Sequence, residues 1–152
     1  MQSAQRLSIN DIDPGAYQAV LAVERYVRAG SLEPALLSLV KMRASQLNGC
    51  AFCLDMHATE ARAEGESQRR LDVLSAWHEA PGLFTEREQA AIALTEQVTL
   101  ISGGGVSDDV WQQVTKHFDE KETVRLLMAI NAINVWNRLA VATHQDLPER
   151  TS

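Results

Sequence analysis

Cys50, Cys53 and His57 fall three and then four residues apart in the run Asn48-Gly49-Cys50-Ala51-Phe52-Cys53-Leu54-Asp55-Met56-His57. That spacing puts all three side chains on one face only if the stretch is helical. Asn48 and Gly49 stand upstream, where such a helix would begin. The free N–H groups and dipole of a helix start favour a negative group, so a thiol there ionises more readily than an ordinary one. The chain has two cysteines, and both lie in this run. One sulfur attacking, the other resolving and a nearby base moving the proton is the chemistry of a redox dithiol. Two blander readings compete. The cysteines could be small buried apolar residues, or Cys50, Cys53 and His57 could be three ligands of a zinc site. A structural zinc wants four ligands, and His78, His117 and His144 are single and distant in sequence.

Helix signals continue in both directions. Asp13-Pro14 predicts a helix to about Ala29, with Tyr17, Val20, Leu21, Val23 and Val27 apolar and Glu24, Arg25 and Arg28 forming a solvated face. Ser31 is the expected cap of a second helix with Pro34 in its first turn. Leu36, Leu37, Leu39, Val40 and Met42 make that helix apolar nearly all round, hence buried. The cysteine helix follows from about Ala51 to Glu64, giving a short-looped hairpin with the dithiol at its turn. A shorter helix is expected over about Ser67 to Ala76, then a loop at Trp77-His78-Glu79-Ala80-Pro81-Gly82. Trp77 is expected as a core or interface anchor, with a wall of the thiol pocket as the alternative. Thr85 and Glu88 form a capping box. The helix they start carries Glu96 on the apolar stripe of Ile92 and Leu100, where a carboxylate must be partnered or face a cavity. Gly103-Gly104-Gly105 lacks the flanks of a phosphate-binding loop. Ser107-Asp108-Asp109 starts another helix, which stops before Phe118. Asp119 and Glu122 cap a last one to about Thr143, with Val124, Leu127, Met128, Ala132, Val135 and Leu139 inward and Asn131, Asn134 and Arg138 as a polar stripe.

The run Lys41 to His57 resembles the alkylhydroperoxidase (AhpD-like) branch of the carboxymuconolactone decarboxylase family. Trp77 to Pro81, Leu94 to Thr99 and Asn134 to Arg138 resemble it as well, so the likeness spans residues 14–145. Decarboxylase members generally lack the paired cysteines. The resemblance implies a single-domain all-α bundle of about six to seven helices, a thiol site and a homo-oligomer, a trimer or a hexamer. It implies that Cys53 is the peroxidatic thiol and Cys50 the resolving one; His57, one turn after Cys53, would help take the thiol proton. Many members keep a glutamate twelve residues before the first cysteine. Here that position is Ser38, which cannot balance an imidazolium charge, and Glu96 is the expected replacement.

The function expected is therefore reduction of an (alkyl)hydroperoxide through a sulfenic acid and a disulfide. The expected catalytic set is Cys50, Cys53, His57 and Glu96, with no cofactor and no metal. A dithiol or lipoyl-type reductant would restore the pair. A redox-sensing module and a decarboxylase-like enzyme are the alternatives. Net charge is −6, without a basic cluster beyond Arg69-Arg70, which disfavours nucleic acid. No apolar run approaches ~20 residues, so no membrane span is expected. The N-terminus shows no signal-peptide pattern, and the dithiol suits a reducing cytoplasm. Residues 1–13 are expected as a flexible N-terminus and 146–152 as a C-terminal tail.

Overall fold

The computed structural model describes residues 4–150. Among them are eight α-helices and no strand, the all-α class the sequence indicated. They are α1 (Ile9–Ile12), α2 (Pro14–Arg28), α3 (Pro34–Asn48), α4 (Ala51–Ala63), α5 (Gln68–Val73), α6 (Glu86–Thr99), α7 (Asp108–His117) and α8 (Glu120–Thr143), with 3₁₀ turns after α5 and α6.

α3 is the central element. It packs against α4, α6 and α8, which is why its sequence is apolar nearly all round. Leu36, Leu37 and Val40 join Leu94, Leu126 and Ile130 in one core cluster. Leu39 and Met42, on the other side of α3, join Leu74, Trp77 and Ile92 in a second. Trp77 is thus a core anchor and not a wall of the thiol site.

The helix boundaries follow local chemistry. Asp13 caps α2 through the Ala16 N–H. The boxes Thr85/Glu88 and Asp119/Glu122 both close reciprocally at the starts of α6 and α8. Arg87 then ties three elements together, pairing with Glu33 and Glu122 at 3.0 Å each and stacking over Phe118.

Several expectations are corrected. Ser31 does not cap α3; Glu33 holds that position without a side-chain bond, and Pro34 opens the helix. Val124 and Val135 are exposed and Leu126, Ile130 and Ile133 face inward, while Ala132 is buried and Leu127 and Met128 pack against the core as expected. The segment before Pro14, expected to be flexible, is fastened where described. Arg6 N–H donates to Thr143 O at 2.8 Å, and residues 9–12 form the extra helical turn α1. Residues 1–3 and 151–152 of the expected terminal segments lie outside the described residues. No described helix is long and apolar enough to cross a membrane.

Candidate active site

The turn between α3 and α4 builds the site. Gly49 ends α3 with φ +62°, a left-handed conformation that glycine adopts without strain. The Cys50 N–H returns to Ser45 O at 3.0 Å. Cys50 thereby becomes the N-cap of α4, and its Sγ accepts the Cys53 N–H at 3.3 Å. An amide network fixes this turn to α8. Asn48 Nδ2 donates to Asn134 Oδ1 and Asn137 Oδ1, each at 2.9 Å, and Asn137 Nδ2 donates to Ser45 Oγ at 3.0 Å. Asn134 is the buried member of the expected polar stripe. Asn131 is exposed, and Asn137, absent from that stripe, is fully buried.

Cys50 and Cys53 are joined as a disulfide, with Cα atoms 5.3 Å apart. Each residue is only 1% exposed, so reagents must reach the sulfurs through clefts. His57 lies one turn beyond Cys53 and is buried. Its Nδ1 is 3.1 Å from Glu60 Oε2. An ionised carboxylate only accepts, so Nδ1 carries the proton and Nε2 presents its lone pair. Burial pushes the His57 pKa down from 6.5, the Lys41 charge pushes it further, and Glu60 and Glu24 oppose both. At neutral pH the ring is therefore a neutral base.

Cys53 and His57 line a cleft of about 300 Å³ together with Glu24, Glu60, Met56 and Trp136. Trp136 packs on Tyr17 with ring centroids 5.1 Å apart. Cys50 lines a separate cleft of about 370 Å³, formed with Gly49, Val141, His144 and Leu147. Phe52 borders both. Among the described residues no group of three or more His, Cys, Asp or Glu side chains gathers to hold a metal.

The structure brings Cys50, Cys53 and His57 together and leaves Glu96 out. Glu96 accepts from Arg43 at 2.7 Å and 3.0 Å and from Trp77 Nε1 at 3.2 Å. Arg43 supplies the counter-charge that a carboxylate on an apolar stripe requires. The hydrogen-bond partner of His57 is Glu60, neither Glu96 nor Ser38. Glu24, expected on a solvated face, has its carboxylate largely buried against Lys41. Two signals for these residues stood in the sequence. Glu60 is three residues after His57, on its face of the helix. Lys41 is, with Arg43, one of the two charges in a helix whose other buried positions are mostly apolar.

The chain belongs to the carboxymuconolactone decarboxylase family, whose model matches residues 14–97. It is 40% identical over 139 residues to the uncharacterized protein YdfG of Bacillus subtilis, covering 91% of this chain and 94% of that one. It superposes with a TM-score of 0.92 on a protein of unknown function from Agrobacterium tumefaciens, at 39% identity, over 97% of this chain and all of the other. The description of that protein suggests an AhpD of antioxidant defence. An uncharacterized peroxidase-related protein from Ralstonia eutropha with an alkylhydroperoxidase AhpD core shares the fold, with a TM-score of 0.79. Its identity is 15%, over 92% of this chain and 74% of that one.

Proposed function

We propose that this protein reduces hydroperoxides with its dithiol and is returned to the reduced state by an external dithiol. The observation that carries the reading is the shared cleft of Cys53 and His57, with Cys50 in disulfide distance behind them. Family membership and the AhpD description of the Agrobacterium neighbour support it.

In the reduced protein, His57 Nε2 takes the Cys53 proton, directly or through a water. The Cys53 thiolate attacks the distal peroxide oxygen, the O–O bond breaks, and Cys53 becomes a sulfenic acid. The alkoxide leaves as the alcohol after taking the proton held on His57. The Cys50 thiol then condenses with the sulfenic acid, forming the disulfide and releasing water. A dithiol reductant, small or lipoyl-type, exchanges with the disulfide and leaves as its own cyclic disulfide. Glu60 holds the His57 ring in the tautomer this cycle needs.

Two further parts of the reading concern context. Leu100, Ile101, Trp111 and Val124 are large apolar side chains at the surface, and a homotrimer or homohexamer would cover such groups. A reducing cytoplasm is the compartment in which an external dithiol keeps the cycle running.

The test is consumption of hydrogen peroxide and tert-butyl hydroperoxide with dihydrolipoamide as reductant. Wild type should turn over, and Cys53→Ser should be inactive. Cys50→Ser should react once and stop as a sulfenic acid. Wild-type consumption no faster than that of Cys53→Ser overturns the proposal. If the Cys53→Ser protein instead performs the single turnover, the thiol roles are reversed.

A further inference from the structure

The dithiol cleft has a wall that neither the sequence motif nor the cycle above uses. Glu24, on α2, is 12% exposed at its side chain, and its Oε2 lies 3.7 Å from Lys41 Nζ on α3. Its Oε1 accepts from Trp136 Nε1 on α8 at 3.3 Å, and Arg28 Nε lies 3.9 Å from Oε2. Lys41 is equally buried, with 11% of its side chain exposed. An ion pair buried among apolar helices is weak evidence for stability, because well-packed apolar residues of the same size often do as well. Its position is more informative. Glu24 Oε2 and His57 Nε2 are both buried and neither has a hydrogen-bond partner in the protein. Both residues line the cleft of Cys53. Both atoms are acceptors, so a molecule that joins them must donate twice: a water in the resting protein, or hydrogen peroxide with its two O–H groups.

We infer that Glu24, with Lys41 as its counter-ion, is the second carboxylate of the dithiol site, a positioning residue that holds a hydrogen-bond donor against His57 Nε2. It fills from α2 the place that Ser38 leaves open on α3. The inference rests on the hydroperoxide-reductase reading for its turnover arm alone.

The charged groups facing His57 can be named helix by helix. α2 brings Glu24, Arg25 and Arg28, α3 brings Lys41, and α4 brings Glu60. α8 contributes Trp136 and Ala140 to the cleft, and Gln145 follows it; none of these titrates. Lys41 disfavours a proton on His57, while Glu24 and Glu60 favour one. The same two charges act on a Cys53 thiolate with opposite sign: Lys41 stabilises it and Glu24 offsets Lys41.

The experiment reads both charges at one thiol. In a Cys50→Ser background Cys53 is the sole thiol, and its alkylation by iodoacetamide is followed against pH. Glu24→Gln should move the midpoint to lower pH, since Lys41 is then unbalanced. Lys41→Gln should move it to higher pH, since Glu24 is then unbalanced. The double variant should fall back near the parent, because the two charges are removed together. With both cysteines present, Glu24→Gln should lower peroxide turnover on the order of 10²-fold although more Cys53 is thiolate. A merely structural residue would not give shifts of opposite sign that cancel.

Single variants that stay folded by circular dichroism and shift the same way, or not at all, overturn the inference. Should either single variant unfold, the double variant decides, since it buries no lone charge. The parent midpoint with turnover lost supports the inference, and the parent midpoint with turnover kept overturns it. Wild-type protein that consumes no hydroperoxide refutes the reductase reading, while opposite, cancelling alkylation shifts would still support the charge pair.

Discussion

Replacing Asn137 by alanine should loosen the dithiol turn from a helix that carries no sulfur. Asn137 is 0% exposed. It donates to Ser45 Oγ and accepts from Asn48 Nδ2, the residue immediately before Gly49. Each bond contributes about 1 kcal/mol net. The space left by the amide adds about another 1 kcal/mol, because close-packed helices relax only in part. Asn48 keeps Asn134 as an acceptor, and Ser45 Oγ still donates to Lys41 O, so no buried donor is left stranded. The expected loss is about 3 kcal/mol, which for a domain of this size lowers Tm by roughly 6–12 °C. Urea unfolding with the disulfide intact measures it as a fall in midpoint at constant slope. Asn131→Ala, on the same helix but exposed, is the control and should change stability by less than about 0.5 kcal/mol. An Asn137→Ala loss no larger than that of Asn131→Ala would refute the view that this network fastens the turn. With the loss as expected, reoxidation of the reduced dithiol should also slow, because Cys50 no longer sits on a fixed turn.

Gly49→Ala should cost about 1–2 kcal/mol in the same unfolding assay, the price of a left-handed residue with a Cβ; nothing lies within 4 Å of the added atom, so no clash adds to it. Glu96→Gln should leave the pH profile of Cys53 alkylation unchanged and cost about 2 kcal/mol of stability, because Arg43 loses its counter-charge while Trp77 keeps an acceptor. Stability should be level above the unfolded-state His57 value of about 6.5 and should fall as pH drops from there through the lower folded value. In that window the unfolded chain binds a proton that the folded one refuses. His57→Gln should flatten that part of the urea-midpoint profile against pH.

What could be read ahead was what depends on short stretches of chain. Caps at Asp13, Thr85 and Asp119, the break at Gly49 and the three-then-four spacing of Cys50, Cys53 and His57 are local, and the structure places each where local rules put it. What escaped depends on which helices meet. Glu24 sits beside Arg25 and Arg28 on an amphipathic helix, and in sequence it reads as one more solvated charge. Only the packing of α2 on α8, with α3 in reach, brings it to Lys41 and Trp136. Glu96 failed in the opposite direction. Its burial was anticipated from the apolar stripe, but the stripe does not say which neighbouring helix supplies the counter-charge, and α3 does so through Arg43. The expectation of Val124 and Val135 on the inward face of α8 fails for a similar reason. Val124, Val135, Leu126 and Ile133 are equally apolar, so composition alone could not orient the helix.

The two thiols are not equivalent, and the helix they share explains why both assignments of role have to be weighed. Cys50 is the N-cap, and its sulfur accepts the Cys53 N–H. A helix start favours negative charge there, so the backbone by itself would make Cys50 the better thiolate. Cys53, in the first turn, has less claim on free N–H groups. It lines the cleft with His57, and Lys41 and Glu24 set the charge around that base. Backbone and side chains thus favour different sulfurs. In the proposed peroxide reduction the side chains should prevail, because attack needs a base to take the thiol proton and then return it to the leaving alkoxide, and His57 shares its cleft with Cys53. The backbone preference keeps its use in the next step. In the proposed cycle a helix start would favour the thiolate of the resolving residue, and so disulfide formation over further oxidation, once Cys53 is a sulfenic acid. In the cycle proposed above, one turn of helix would divide the labour: the packed side chains would activate the first sulfur, and the helix terminus the second.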